Sequence, residues 1–206
     1  ILMRNSVGYN ISYNSITSAA AGNTAGTMRG IYNVSASATP TGTFTNTINN
    51  NTIALTYGVA TGTMQGITVE STNATTTSTQ NINNNNFTTL TAAIASSVTI
   101  TAISSVAPHL TVNINNNTLT SITTNTTGSF TFIGHSFTMP AGGTTNINSN
   151  SIVTAFNKTG AGGTVTFSTT GASSPNGTTA NYTGNSFSNV TVTGATGITG
   201  INSTDG

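Results

Sequence analysis

Asn113-Ile114-Asn115-Asn116-Asn117-Thr118-Leu119 is one copy of a unit that recurs along the chain. Before it come Asn10-Ile11-Ser12-Tyr13-Asn14-Ser15-Ile16, Thr47-Ile48-Asn49-Asn50-Asn51-Thr52-Ile53 and Asn81-Ile82-Asn83-Asn84-Asn85-Asn86-Phe87. After it come Asn146-Ile147-Asn148-Ser149-Asn150-Ser151-Ile152 and Asn181-Tyr182-Thr183-Gly184-Asn185-Ser186-Phe187. The second residue of each copy stands at 11, 48, 82, 114, 147 and 182, so the steps are 37, 34, 32, 33 and 35 residues. A period held this closely is the signature of a repeat architecture, in which each period is one unit stacked on the next.

Outward from the unit, each period carries three short groups in which apolar residues alternate with polar ones, the pattern of strands. The first group leads into the unit: Val7, Tyr9, Ile11; Phe44, Asn46, Ile48; Leu110, Val112, Ile114. It is more polar in the other copies, as in Ser78, Gln80, Ile82 and Gly143, Thr145, Ile147. The second group follows the unit, as in Ile53 and Leu55 or Phe87 and Leu90. The third lies midway to the next copy, as in Ile67 and Val69 or Phe130 and Phe132, with Ile133 expected outward. No helix is expected, since Ala19-Ala20-Ala21 runs straight into Gly22 and Gly or Thr interrupts every other stretch.

Three strands per period, all progressing the same way, describe an all-β parallel β-helix. The expectation is one solenoid domain over residues 1–206, with about six rungs of 32–37 residues and three strands per rung. Equivalent strands of successive rungs then lie ~4.8 Å apart. Stacking also accounts for the 2% charge content, because an ionised side chain repeated at one rung position would sit over its own copies and repel them. Thr, Ser and Asn can stack on themselves and hydrogen-bond.

The Asn cluster marks a tight corner between two strands, since Asn tolerates left-handed backbone angles and bonds its own backbone. Asn14, Asn51, Asn85, Asn117, Asn150 and Asn185 share one register and are expected to form a structural Asn ladder. Asn49, Asn83, Asn115 and Asn148 share a second register. Length variation is expected in outward loops at 22–28, 36–42, 71–77, 104–108, 140–143 and 171–177, which hold Pro40, Pro108, Pro140 and Pro175.

These units, with strands such as Gly66-Ile67-Thr68-Val69 between them, resemble the right-handed parallel β-helix repeats of pectate-lyase-like proteins. They are most similar to the Thr/Asn-rich versions in very large secreted surface proteins and adhesins of Bacteroidetes-type bacteria. The resemblance covers essentially the whole chain. It implies a right-handed coil and a stalk, attachment or carbohydrate-associated role. The chain departs from the enzymes of that fold, which use clustered Asp, Glu, Lys or Arg.

The chemistry-bearing residues are few. Glycoside hydrolysis normally needs two facing carboxylates, and the chain has only Glu70 and Asp205, some four rungs apart. Glu70 reads as a solvated residue after a strand. His109 and His135 lack carboxylate or thiolate partners at ligand spacing and read as surface residues. Arg29 and Lys158 read as isolated, Lys158 as a solvated loop tip in Asn157-Lys158-Thr159-Gly160. Phe130, Phe132 and Phe137 read as core, and Tyr57 as the exposed aromatic. No metal or cofactor site is expected.

No cysteine is present, so no disulfide framework is available, and no apolar run approaches the ~20 residues of a membrane span. The near-neutral balance gives no grip on nucleic acid. The opening Ile1-Leu2-Met3-Arg4 reads as mid-chain sequence, so the chain is expected to be a fragment of a longer one. Asn-x-Ser/Thr acceptors occur at Asn33, Asn73, Asn125, Asn157, Asn176 and Asn189, which would make the chain a glycoprotein in a compartment with the transferase.

Together these features lead to a non-catalytic structural or adhesive segment of an extracellular or cell-surface protein. Its expected partners are adjacent rungs of the same or a neighbouring chain, with surface polysaccharide a further candidate. The alternative is a carbohydrate-binding module, or less favourably an ice-binding one. An ice face would need Thr-x-Thr pairs in one register, and Thr41/Thr43, Thr99/Thr101, Thr164/Thr166 and Thr191/Thr193 read as out of register.

Overall fold

A computed structural model describes residues 1–4, 6–18, 26–35, 42–71, 75–92, 95–171 and 177–203. Every regular element in it is a β-strand and every strand pairing is parallel. The chain coils as a parallel β-solenoid of about five turns. The six copies of the Asn unit are six corners, and six corners enclose five steps, hence the shorter count than the expected six rungs.

Sheet A holds Leu2–Arg4, Gly26–Ser35, Gly62–Ser71, Thr99–Val106, Phe130–His135, Thr164–Thr170 and Gly197–Ser203. Sheet B holds Asn10–Ser12, Thr45–Asn49, Thr75–Asn83, His109–Asn115, Thr144–Asn148 and Thr179–Asn181. Sheet C holds Ser15–Thr17, Thr52–Tyr57, Asn86–Ala92, Thr118–Leu119 and Ser151–Ile152. Each turn passes from A to B, rounds the Asn corner to C, and returns to A. In the later turns the C wall breaks, and Ile122–Thr124, Phe156–Lys158 and Val190–Val192 form a short sheet D. Ser121 and Asn189 stand at φ 56° and 58° just before two of these strands, a left-handed kink that no extended strand accommodates.

The walls enclose columns of like residues. Ile11, Ile48, Ile82, Ile114 and Ile147 stack in sheet B, and Ile16, Ile53, Phe87, Leu119 and Ile152 face them from sheet C. Sheet A contributes Ile31, Ile67, Ile103 and Ile133 in one register. Ile133 is fully buried, contrary to its expected outward position. The sheet A strands break alternation here, so that Phe132 and Ile133 both face inward. Tyr57 is also buried rather than exposed, and its hydroxyl donates to the Gly26 carbonyl at 2.6 Å. Phe137 is half-buried. The anticipated loop at 104–108 is shorter than expected, because the strand runs through Val106 and leaves only Ala107 and Pro108, both buried. Pro140 does sit in a turn, with the Gly143 N–H donating to its carbonyl at 2.9 Å. Ala19–Ala21, Pro40, Pro175 and most of the loops at 22–28, 36–42 and 171–177 lie outside the described residues.

Small and large residues are matched across the coil. Gly66 in sheet A leaves room for Phe87 in sheet C: a Cβ built on it would stand 2.5 Å from the Phe87 ring and 2.6 Å from the Ala102 carbonyl. The Ala102 carbonyl belongs to the next strand of sheet A, so the added carbon would push neighbouring strands of that sheet apart and displace the Phe87 ring. Gly66→Ala is therefore expected to destabilise the coil by about 2 kcal/mol, as overpacking does. Gly200→Ala, where a Cβ meets nothing within 4 Å, should change the melting temperature little in the same thermal unfolding measurement.

Candidate functional site

The Asn corner is the most organised polar feature among the described residues. Its fourth position holds the left-handed backbone: Tyr13, Asn50, Asn84, Asn116 and Ser149 all have φ between 57° and 62°, and Gly184 has φ 65°. That turn reverses the chain sharply and directs the fifth residue inward.

At the fifth position, Asn51, Asn85, Asn117 and Asn150 are at most 1% exposed, and Asn14 and Asn185 are half-buried. Asn117 shows the bonding. Its Oδ1 accepts the Asn85 backbone N–H at 2.9 Å and the Asn85 Nδ2 at 3.0 Å. Its Nδ2 donates down to the Ile82 carbonyl at 2.8 Å and up to Asn150 Oδ1 at 3.0 Å. Two donors and two acceptor sites are all an amide offers, and all are used. The same bonds join Asn14 to Asn51, Asn51 to Asn85 and Asn150 to Asn185. All six residues anticipated for the ladder thus stand in one hydrogen-bonded file.

Two further files flank it on the outside of sheet B. Asn49, Asn83 and Asn115 each accept, through Oδ1, the backbone N–H of the equivalent residue one turn on, at 2.9 to 3.0 Å. Asn113, Asn146 and Asn181 donate through Nδ2 to Asn81, Asn113 and Asn146 at 2.7 to 2.8 Å. Beside them Thr45, Thr79, Thr111, Thr144 and Thr179 align in one column. The first-position Asn file and the Thr column escaped sequence reading, although a Thr stands two residues before the unit in five of the six copies. On sheet A, Thr101, Thr131, Thr166 and Thr199 also align, with Thr27, Thr63 and Thr99 in a parallel column. The Thr99/Thr101 and Thr164/Thr166 pairs therefore lie on one sheet in one register, which corrects the sequence expectation for these two, whereas Thr191 lies in sheet D and Thr41 lies outside the described residues.

The ionisable residues are not as the sequence suggested. Lys158 is a strand residue with no exposed surface, and its ammonium donates to the Gly160 and Gly162 carbonyls at 2.5 and 2.7 Å. It pins the 159–163 bend from inside, and burial lowers its pKa. Arg29 is not isolated: it donates to Gln65 at 2.6 Å, lies 4.1 Å from the Tyr32 ring centre and 3.9 Å from Glu70. Glu70 in turn accepts from the Tyr32 hydroxyl at 2.7 Å and holds that phenol's pKa up. The group is half-exposed on sheet A, where an ion pair contributes little. Asp205 lies outside the described residues.

Both histidines are buried, not on the surface. His109 Nδ1 lies 2.8 Å from the Ser78 hydroxyl, with the Phe44 ring edge-on. His135 Nδ1 lies 3.2 Å from the Ser105 carbonyl and so carries its proton there. Burial, and then the neighbouring His135, lowers His109 to about 4. Among the described residues no three His, Cys, Asp or Glu side chains gather as a metal site. Of the anticipated glycosylation acceptors, Asn33 is buried, Asn73 and Asn176 lie outside the described residues, and Asn125 and Asn189 are exposed.

The coil and its corner define a parallel β-solenoid with an internal Asn ladder. Set against protein-family models, curated proteins and solved structures, the chain gives no significant match to any of them.

Two outcomes follow. Asn117→Leu should destabilise the fold by about 3 kcal/mol or more, since it orphans the Asn85 and Asn150 amides inside the coil. Asn125→Ala, at an exposed position, should be within ~0.5 kcal/mol of the parent in the same denaturation experiment. For pH, the folded state holds His109 neutral down to about 4 while the unfolded chain protonates it near 6.5. The unfolded state then binds more protons, so stability should fall as pH drops from about 6.5 to about 4, by about 3 kcal/mol at most. His109→Gln should flatten that slope in urea titrations at each pH.

Proposed function

We propose that this chain is a non-catalytic, rigid segment of an extracellular or cell-surface protein, serving as a stalk or filament in an adhesive assembly. The observation that carries the reading is the amide file that joins each turn to the next, in which Asn51, Asn85, Asn117 and Asn150 use all of their side-chain hydrogen-bonding capacity. A rod with self-complementary joints transmits position and force along its axis. The scarcity of carboxylates, and the spending of both histidines and Lys158 on internal contacts, support a scaffold over an enzyme. The likeness of the units to repeats of large secreted bacterial surface proteins supports the same placement and a right-handed coil.

A second reading, binding of neutral polysaccharide or less favourably of ice, is favoured by the aligned Thr columns of sheets A and B. Those faces present uncharged hydroxyls and amides at the ~4.8 Å strand spacing.

The cysteine-free chain allows a direct test. Spin labels at Ser15→Cys and Ser186→Cys, equivalent positions five steps apart, should give one narrow distance near ~24 Å plus the label arms. That distance should be unchanged between ~0.01 and ~1 M salt, because so few charges are present to screen. A broad or salt-dependent distribution would overturn the stalk reading. Retention on a neutral polysaccharide gel would move the second reading ahead.

A further inference from the structure

Sheet A changes character along the coil. Its earlier turns carry Arg29, Tyr32, Gln65 and Glu70 in the half-exposed group described above. From Thr99 onward, the outward positions of its described residues hold no charge and no aromatic ring. Thr99 and Thr101, Ser129 and Thr131, and Thr164 and Thr166 occupy three successive strands in one register. The residue within each pair, Ile100, Phe130 or Val165, is fully buried, so the hydroxyl residues face out. Thr199 extends the second column by one more strand. The steps from Thr101 to Thr131, to Thr166 and to Thr199 are 30, 35 and 33 residues, so the loops absorb the difference and Thr returns to the same place.

The chain does not spend these hydroxyls on itself. Those of Thr99, Thr101, Thr131, Thr164 and Thr166 form no hydrogen bond with another described residue, and that of Ser129 accepts the Thr164 N–H at 3.1 Å and keeps its own proton to donate. The outer amides of sheet B, by contrast, bond their own copies one turn away. The self-matching that accounts for the Asn files therefore does not account for these columns. Thr is stiff at its first side-chain torsion, and the strands hold the backbone, so the block is a rigid grid. Its cell is ~4.8 Å between strands by ~6.6 Å for two residues along a strand.

A lone hydroxyl gains little by exchanging one water for another. A rigid grid gains when the water it meets is already ordered on a similar grid, because neither side then loses further freedom. The Thr methyl groups add apolar contact between the hydroxyls. From this we infer that the block binds the surface of ice, whose oxygen repeats are of the same size as the cell. The inference rests on the second reading above and names its face and its ligand. Over both faces a sugar comes first. On sheet A alone the order reverses, because a saccharide site is lined by apolar and aromatic side chains and these strands present no ring outward. A second copy of the chain is excluded by size, since the block covers roughly 250 Å² by strand spacing against the ~800 Å² per partner of a stable interface.

The test is slow growth of ice from a dilute solution of the 206-residue chain, with protein assayed in the ice and in the remaining liquid. Microscopy of recrystallisation in a frozen film accompanies it. The expected result is several-fold enrichment in the ice and arrested growth of its grains. Thr131→Lys and Thr166→Lys should each abolish both, with an unchanged melting temperature and circular dichroism spectrum. Asn125→Lys, at an exposed position outside the block, should keep both. Exclusion of the parent chain from ice would overturn the inference. So would ice binding that is lost in Thr111→Lys on sheet B and kept in the two sheet A variants. If the parent is excluded from ice yet held on a neutral polysaccharide gel, this assignment falls and the second reading survives with its other ligand.

Discussion

A buried amide is tolerable only if its donors and acceptor are all satisfied, and that requirement organises this molecule. An inward Asn in an isolated turn would leave most of its capacity unmet and cost several kcal/mol. In register with identical residues one turn above and below, every requirement is met by those copies and by one Ile carbonyl of the turn below. The left-handed residue before it is what makes this geometry possible, because it swings the fifth side chain inward while leaving its backbone N–H aimed along the coil axis. Aligned amides polarise one another, so the file is stronger than its separate bonds. It also fixes register, since a slip of one residue would bring Thr118, with one donor where the amide has two, to the place of Asn117.

The hydrophobic columns obey the same logic of self-matching but tolerate variation. Ile stacks on Ile along sheet B, while sheet C alternates Ile, Phe and Leu. Volume is then balanced across the coil rather than along it, as Gly66 opposite Phe87 shows. Higher in the coil the aromatic rings meet one another instead, Phe130 with Phe156 at 4.5 Å and Phe167 with Phe187 at 4.9 Å.

Period, alternation and corner were legible in the residues because each is a one-dimensional pattern that stacking repeats. The register of Asn117 with its counterparts could be counted directly. What escaped counting was anything set by contact between walls. Tyr57 sits after Leu55 on a clean strand pattern, yet its exposure depended on whether Gly26 of another wall was there to receive its hydroxyl. Ile133 was misplaced because sheet A breaks alternation, and nothing local announces the break. Lys158 was read as a loop tip from its Asn-Lys-Thr-Gly setting, whereas the glycines beside it supply the carbonyls that bury it. The alignment of Thr99/Thr101 with Thr164/Thr166 was hidden by the unequal lengths of the intervening turns.

Charge is the converse of the ladder. A column position is repeated at ~4.8 Å, and only groups that attract their own copies can occupy it throughout. Amides and hydroxyls qualify, since each both donates and accepts. Carboxylates and ammonium groups do not, and those described here are placed where no copy follows. Lys158 stands between Thr124 and Val192, and Arg29 stands beside Gln65. Glu70 stands between Val34 and Val106. Neutrality is therefore a condition of this fold more than an adaptation of its surface, and a surface without charge can be joined to another only by shape and by hydrogen-bond polarity. The inner Asn file supplies that polarity in one constant sense from the first corner to the last, and the outer files supply the opposite sense over the later corners.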